Sequence, residues 1–216
     1  MLRQPNIYRD RKHAGEFLAS LLLQRGSTGS NALVLALPRG GVPVAAPIAK
    51  ALKAPLDLLL VRKLGIPGDE EVAMGAISVG GACFLNKSLI EALGIPSSAV
   101  DRVKESENAE LKRRNVAYRD SRPPPDVSGK VVYLVDDGIA TGATVQAALL
   151  ALHEMRPDKI VLVAPVGAPD SIEDLARLCD EMIVPLQPQR FSAVGLWYKS
   201  FDQTQDSEVL QLLRDS

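Results

Sequence analysis

The stretch VVYLVDDGIATGAT, residues 131–144, sets two carboxylates side by side at the end of an apolar run. Val131 to Val135 read as a buried strand. Asp136 and Asp137 follow, then small residues, then a helical pattern from about Thr141. Gly138 and Gly142 let a backbone approach a ligand closely, and Thr141 and Thr144 add hydroxyl donors. Free N–H groups and the positive end of a helix dipole would converge there on one anion. A phosphate monoester fits such a nest. Two carboxylates repel a phosphate, so they must serve something the phosphate carries. Ionised carboxylates are strong acceptors for O–H donors, and a ribose 5-phosphate offers adjacent hydroxyls. Nearby negative charge would also favour a sugar carbon that turns cationic in a transition state.

The elements that must position this loop alternate along the chain. Residues 11–25 read as a helix with Phe17, Leu18, Leu21 and Leu22 on one face, and NALVLAL (31–37) as a short strand ending at PRGG. A small-residue helix follows at 42–52, then a single buried strand LDLLLVR at 56–62. EVAMGAISVGGACFLN (71–86) is punctuated by glycine and reads as a hairpin. After 131–135 come a strand at 159–166, a helix near 169–179 and a strand at 181–186. Near-continuous apolar strands separated by helices imply an α/β fold, a three-layer α/β/α arrangement around a mainly parallel sheet. Ligands in such sheets sit at the carboxyl ends of the strands, where the acidic pair lies. Residues 1–216 read as one domain, with 97–125 a charged helical insertion and 186–216 a small hood. That insertion has a thin apolar stripe through Val100, Val103, Leu111 and Tyr118, and ends at Pro123–Pro125. Its later half is basic, with Lys112, Arg113, Arg114, Arg119 and Arg122 against Asp120. It is read either as a solvated face or as a phosphate-steering or subunit contact.

Composition narrows the class. With 216 residues, 46% hydrophobic and 24% charged, the chain can bury a proper core. A formal net charge of −1 argues against a dedicated nucleic-acid binder. Two cysteines, Cys83 and Cys179, do not make a disulfide framework and read as buried free thiols in a reducing cytoplasm. His13 and His153 offer little to a zinc site and read as surface and structural residues. No apolar leader or membrane-length run is visible, so a cytoplasmic location without membrane partners is expected.

VYLVDDGIATGATV resembles the phosphoribosyl-pyrophosphate signature of the type I phosphoribosyltransferases. By that resemblance Asp136 and Asp137 hold the ribose hydroxyls, and Ala140, Thr141, Gly142, Ala143 and Thr144 hold the 5′-phosphate beside Gly138. LPRGG (37–41) resembles the family's pyrophosphate loop, in which a cis peptide, at Pro38–Arg39 or Arg39–Gly40, turns the N–H groups of Gly40 and Gly41 to the diphosphate. VRKLG (61–65) is similar to the Arg-Lys pair of orotate and adenine relatives. Arg39, Arg62 and Lys63 would then neutralise the leaving group with Mg²⁺, which Asp136 or Asp137 could share. GIPGDEEVAMG (65–75) looks like a mobile flap that excludes water.

The acceptor is less legible. The 6-oxopurine branch places an acid where Ala140 stands and a lysine where VAPVGAPDS (163–171) has none, which argues against hypoxanthine or guanine. RFSAVGLWYKSFDQ (190–203) is nonetheless similar to that branch's hood, where an aromatic stacks on the base. Phe191, Trp197 and Tyr198 are the candidates, with core packing the competing reading for Trp197 and Tyr198. The PRGG, RKLG, DDGIATGAT and AVGLWYKSF blocks together resemble a group of bacterial phosphoribosyltransferases of unassigned acceptor, over most of residues 8–213. The implied reaction transfers a phosphoribosyl group from phosphoribosyl pyrophosphate to a nitrogenous acceptor such as a nucleobase. A sensor of that donor or of a nucleotide is the alternative, a hydrolase using the same nest a third reading, and a homodimer is implied by analogy only.

Overall fold

A computed structural model describes residues 5–119 and 123–216; Asp120 and Arg122 of the basic run lie outside them. In chain order the elements are α1 (Arg11–Gln24), β1 (Ala32–Ala36), α2 (Gly41–Leu52), β2 (Leu56–Leu58), β3 (Val61–Ile66), β4 (Asp69–Ser78), β5 (Cys83–Leu85), α3 (Lys87–Ala92) and α4 (Ser97–Arg119). They continue with β6 (Val131–Val135), α5 (Ala143–Glu154), β7 (Lys159–Val163), α6 (Pro169–Leu175), β8 (Glu181–Ile183) and α7 (Asp206–Arg214). The chain divides into two compact units.

The first unit comprises Met1–Leu58, Val127–Gly142 and Pro157–Ser216. Its centre is a five-stranded parallel sheet in the order β2-β1-β6-β7-β8. Every residue of β1 is buried, as are four of the five in β6 and in β7. Such runs of Val, Leu, Ile and Ala satisfy a sheet covered on both faces, where alternation is not needed. Burying one such side chain contributes about 1.5–3 kcal/mol. Register aligns Ala36 with Val135 and Val135 with Val163, so the loops after β1, β6 and β7 leave the sheet side by side. Helix α1 packs on α2, and α2 on β1 and β6. The mixed α/β fold with a parallel central sheet is therefore present.

The second unit comprises Leu59–Asp126 and Ala143–Arg156. Here β3, β4 and β5 form an antiparallel sheet against which α4 and α5 pack. The apolar run 56–62, expected as one strand, splits between the two sheets. Leu56–Leu58 pairs parallel with β1, and Val61 onward pairs antiparallel with β4. An unbroken apolar run carries no mark of which partner each end will find. The expected hairpin is β4–β5, and residues 65–75, read as a flap, form the turn and strands of the β3–β4 pair. In α4, Glu110 accepts from Arg113 and Arg114 one turn on, which holds its carboxyl down at about 2. Arg119 of the basic half is buried rather than solvated. Cys83 and Cys179 are free but only half-buried. No helix among the described residues is long and apolar enough to cross a membrane.

Candidate functional site: an acidic pair between two strand-end loops

The loops after β1 and β6 meet because their strands are neighbours. Leu37 N–H donates to Val135 C=O at 2.9 Å, and Asp136 N–H to Val163 C=O at 3.2 Å, continuing the ladder past the strand ends. Pro38–Arg39 is a cis peptide, one of the two bonds that the resemblance singled out. Immediately after it, Gly40 lies against Asp137, where any Cβ would overlap the carboxylate. Glycine is thus required for close approach of the two loops. Arg39 Nη1 sits 3.3 Å from Asp206 Oδ1, at the start of α7.

The acidic pair is deeply set. Asp137 N–H donates to Asp136 Oδ1 at 2.9 Å. Burial first, and then the Asp137 charge, push the Asp136 carboxyl well above the usual carboxylate range. Burial also raises Asp137, but Arg11 opposes that rise. Arg11 Nε donates to Asp137 Oδ2 at 2.7 Å, and its Nη1 to the Asp202 carbonyl at 2.7 Å. The Tyr198 hydroxyl donates to the Asp137 backbone carbonyl at 2.5 Å. Burial and the adjacent acid raise that phenol far above its ordinary value. Tyr198 belongs to an aromatic cluster with Tyr8, Phe17 and Phe201. Tyr8 in turn donates to Pro165 C=O at 3.2 Å.

The loop that follows is pinned to the β7–α6 connection. Ile139 N–H donates to Val166 C=O at 2.9 Å, Ala168 N–H to Ile139 C=O at 2.8 Å, and Ser171 Oγ to Ala140 C=O at 2.6 Å. Gly142, at φ +73°, makes the left-handed turn into α5. Gly138 lies under Val194, whose side chain fills the space a Cβ would need. Ala140, Thr141 and Thr144 are exposed, and the first turn of α5 holds no acid that would oppose an anion. Expected from Thr141, the helix begins at Ala143, after the Gly142 turn.

Arg62 and Lys63 stand on β3 in the second unit, where Arg62 Nε donates to Glu107. Phe191 and Trp197 are half-buried; Trp197 packs against the aromatic cluster, and its indole N–H is buried without a hydrogen-bond partner. Tyr198 is core, as its 5% exposure and hydroxyl contact require. His13, expected at the surface, is half-buried with its ring edge-on to Tyr8 at 6.1 Å, whereas His153, expected as structural, is exposed. Sequence reasoning missed Arg11, Tyr8 and Asp206. The only sign of Arg11 was a basic cluster, YRDRKH, 126 residues away from its partner.

No group of three or more His, Cys, Asp or Glu among the described residues is arranged to hold a metal alone. The donor chemistry of Asp136 and Asp137 still suits Mg²⁺, which binds through one or two carboxylates when phosphate oxygens complete its shell.

The family model described as phosphoribosyl transferase domain matches residues 67–193. "Putative phosphoribosyl transferase Rv0571c" of Mycobacterium tuberculosis is 42% identical over 207 residues, covering 96% of this chain and 46% of that protein. The chain therefore spans about half the length of the curated relatives it matches this fully. A uracil phosphoribosyltransferase of Streptomyces griseus is 39% identical over 57 residues, 26% of this chain and 27% of its own. The crystal structure of TT1426 from Thermus thermophilus superposes with a TM-score of 0.89 at 38% identity, covering 97% of this chain and 98% of that one. With its parallel sheet, its paired acids and this match, the chain belongs to the phosphoribosyl transferase domain family.

Proposed function

We propose that the chain transfers a phosphoribosyl group from phosphoribosyl pyrophosphate to a nitrogenous acceptor, a nucleobase or similar ring, and releases pyrophosphate. The observation that carries this reading is the contact of Gly40 with the Asp137 carboxylate. It sets the β1 loop, a candidate diphosphate cradle, directly against the acids that would take the sugar hydroxyls.

In this mechanism the C1–O bond to diphosphate breaks as the C1–N bond to the acceptor forms, pyrophosphate leaves with the bond's electron pair, and the acceptor's N–H proton passes to solvent. Asp136 and Asp137 accept from the ribose hydroxyls and stabilise positive charge on the ring. Residues 140–144 hold the 5′-phosphate with backbone N–H groups and the Thr141 and Thr144 hydroxyls. Arg39, Arg62 and Lys63 are assigned to the leaving diphosphate by family resemblance. Mg²⁺ brought with the donor would be held by Asp136 or Asp137 and would supply charge neutralisation at the leaving oxygens. Phe191 and Trp197 are proposed for the acceptor. Positioning and electrostatics supply the rate, without a covalent enzyme intermediate.

The test is pyrophosphate release from the donor with Mg²⁺ across a panel of bases, alongside Asp136→Asn/Asp137→Asn. Turnover with one base, abolished in the double variant, is expected. Donor binding by calorimetry with no turnover across the panel would make the chain a sensor of the donor. Unchanged rates in the double variant would remove the acids from the mechanism.

A further inference from the structure

Arg11 touches the acidic pair, yet it lies in none of the blocks assigned to donor or acceptor. It opens α1 directly after the N-cap Asp10, which accepts from His13 N–H at 2.7 Å and fixes that first turn. From there the side chain is held by three contacts from two other parts of the first unit, the β6 loop and the 194–206 segment. Nε donates to Asp137 Oδ2, Nη1 donates to Asp202 C=O, and the guanidinium lies 3.8 Å over the centre of the Phe201 ring. The Arg11 and Asp137 side chains are only 12% and 16% exposed. A solvated surface arginine keeps its rotamer freedom and would gain little from such a pair; this one is packed on an aromatic face and bonded at both ends of its fork.

The contact has an electrostatic consequence. Two adjacent ionised acids would repel a donor that carries a 5′-phosphate and a diphosphate. Arg11 cancels one of those charges from behind, through a single oxygen of Asp137. The carboxylate keeps lone pairs for hydroxyl donors. The titratable or charged groups facing Asp137 are Asp136 on its own loop, Arg11 on α1, and Tyr198 on the 194–206 segment, with Tyr8 behind them. Arg11 is the cation among these, and it acts on Asp137 directly and on Asp136 through space.

We infer that Arg11 is a positioning residue of the donor site: it holds the Asp137 carboxyl in one orientation as an acceptor for the sugar diol. The inference rests on the reading of the acidic pair as the diol-binding element. Through Phe201 and Asp202, the 194–206 segment holds Arg11 in turn, so the hood and the acids are set together.

The experiment uses the intact chain with Arg11→Gln and Arg11→Lys. Calorimetry with Mg²⁺ reads phosphoribosyl pyrophosphate and inorganic pyrophosphate. In R11Q donor affinity should fall by about tenfold or more, from the loss of the charge-assisted bond that orients Asp137. Inorganic pyrophosphate, which has no diol and meets only the uncancelled charge, should weaken in R11Q by clearly less than the donor does. R11K keeps the charge but not the fork, so its donor affinity should fall severalfold and lie between those of wild type and R11Q; this variant carries the test should R11Q not fold. Wild-type donor affinity in both variants, or equal weakening toward donor and pyrophosphate, overturns the inference alone. A wild-type protein that takes no donor overturns the diol reading and the inference with it.

Discussion

Replacing Tyr198 with Phe isolates one hydrogen bond at the centre of the site. The ring stays: its centroid lies 5.7 Å from Tyr8 and 4.9 Å from Phe201, and Phe fills the same space. Only the hydroxyl is lost, and with it the 2.5 Å bond to the Asp137 carbonyl. Tyr198 is 5% exposed, so water does not readily replace the donor. A buried acceptor left without its partner costs about 1–3 kcal/mol. Taking about 2 kcal/mol, a chain of this size should lose roughly 4–8 °C in Tm. Thermal and urea unfolding with near-UV circular dichroism measure this directly. There is also a pH signature. The folded state keeps the Tyr198 proton to far higher pH than the unfolded chain does. The folded state therefore binds more protons above about pH 10, and wild-type stability falls as pH rises past that point. Y198F lacks this loss, so its deficit should narrow in alkali. A Y198F protein as stable as wild type at pH 7, or a deficit that widens above pH 10, would refute the account of how the hood is tied to Asp137.

Three further predictions concern the same loops. Asp136→Asn keeps an acceptor for Asp137 N–H but removes a carboxyl raised by burial; since the raised group makes wild type lose stability as pH climbs from the unfolded range near about 4, the variant should be more stable than wild type at pH 7 and lose that advantage in acid. Urea titrations at both pH values check this, and turnover should be lost. Gly40→Ala drives a methyl into the Asp137 carboxylate, so donor affinity should drop by about tenfold or more, read by calorimetry, with pyrophosphate release falling in parallel. Asp206→Asn frees Arg39 from an exposed ion pair; Tm should hardly move, while inorganic pyrophosphate should bind a fewfold more tightly.

Much of the fold was legible because its signals are local. Apolar runs of strand length at β1, β6 and β7 and glycine at the β4–β5 turn each report conditions set by neighbouring residues. The run 56–62 failed that reading because pairing partners are chosen from elsewhere in the chain. Helix α7 and the aromatic cluster under the hood were likewise invisible, since Tyr8 and Tyr198 meet across 190 residues.

The chemistry of the site divides the same way. The residue order by itself determined that two acids precede a glycine-threonine loop and a helix, because phosphate-binding nests are built from consecutive backbone N–H groups. It also determined the type of sheet that presents them. Only the tertiary structure decided that Arg11 leans on Asp137, that Gly40 leaves room for that carboxylate, and that Tyr198 holds its backbone. The physical reason is that a charge pair, a steric gap and a buried hydroxyl depend on distance in space. Pairing of β1 with β6 brings Gly40 to Asp137, while α1 and the 194–206 segment bring in Arg11 and Tyr198.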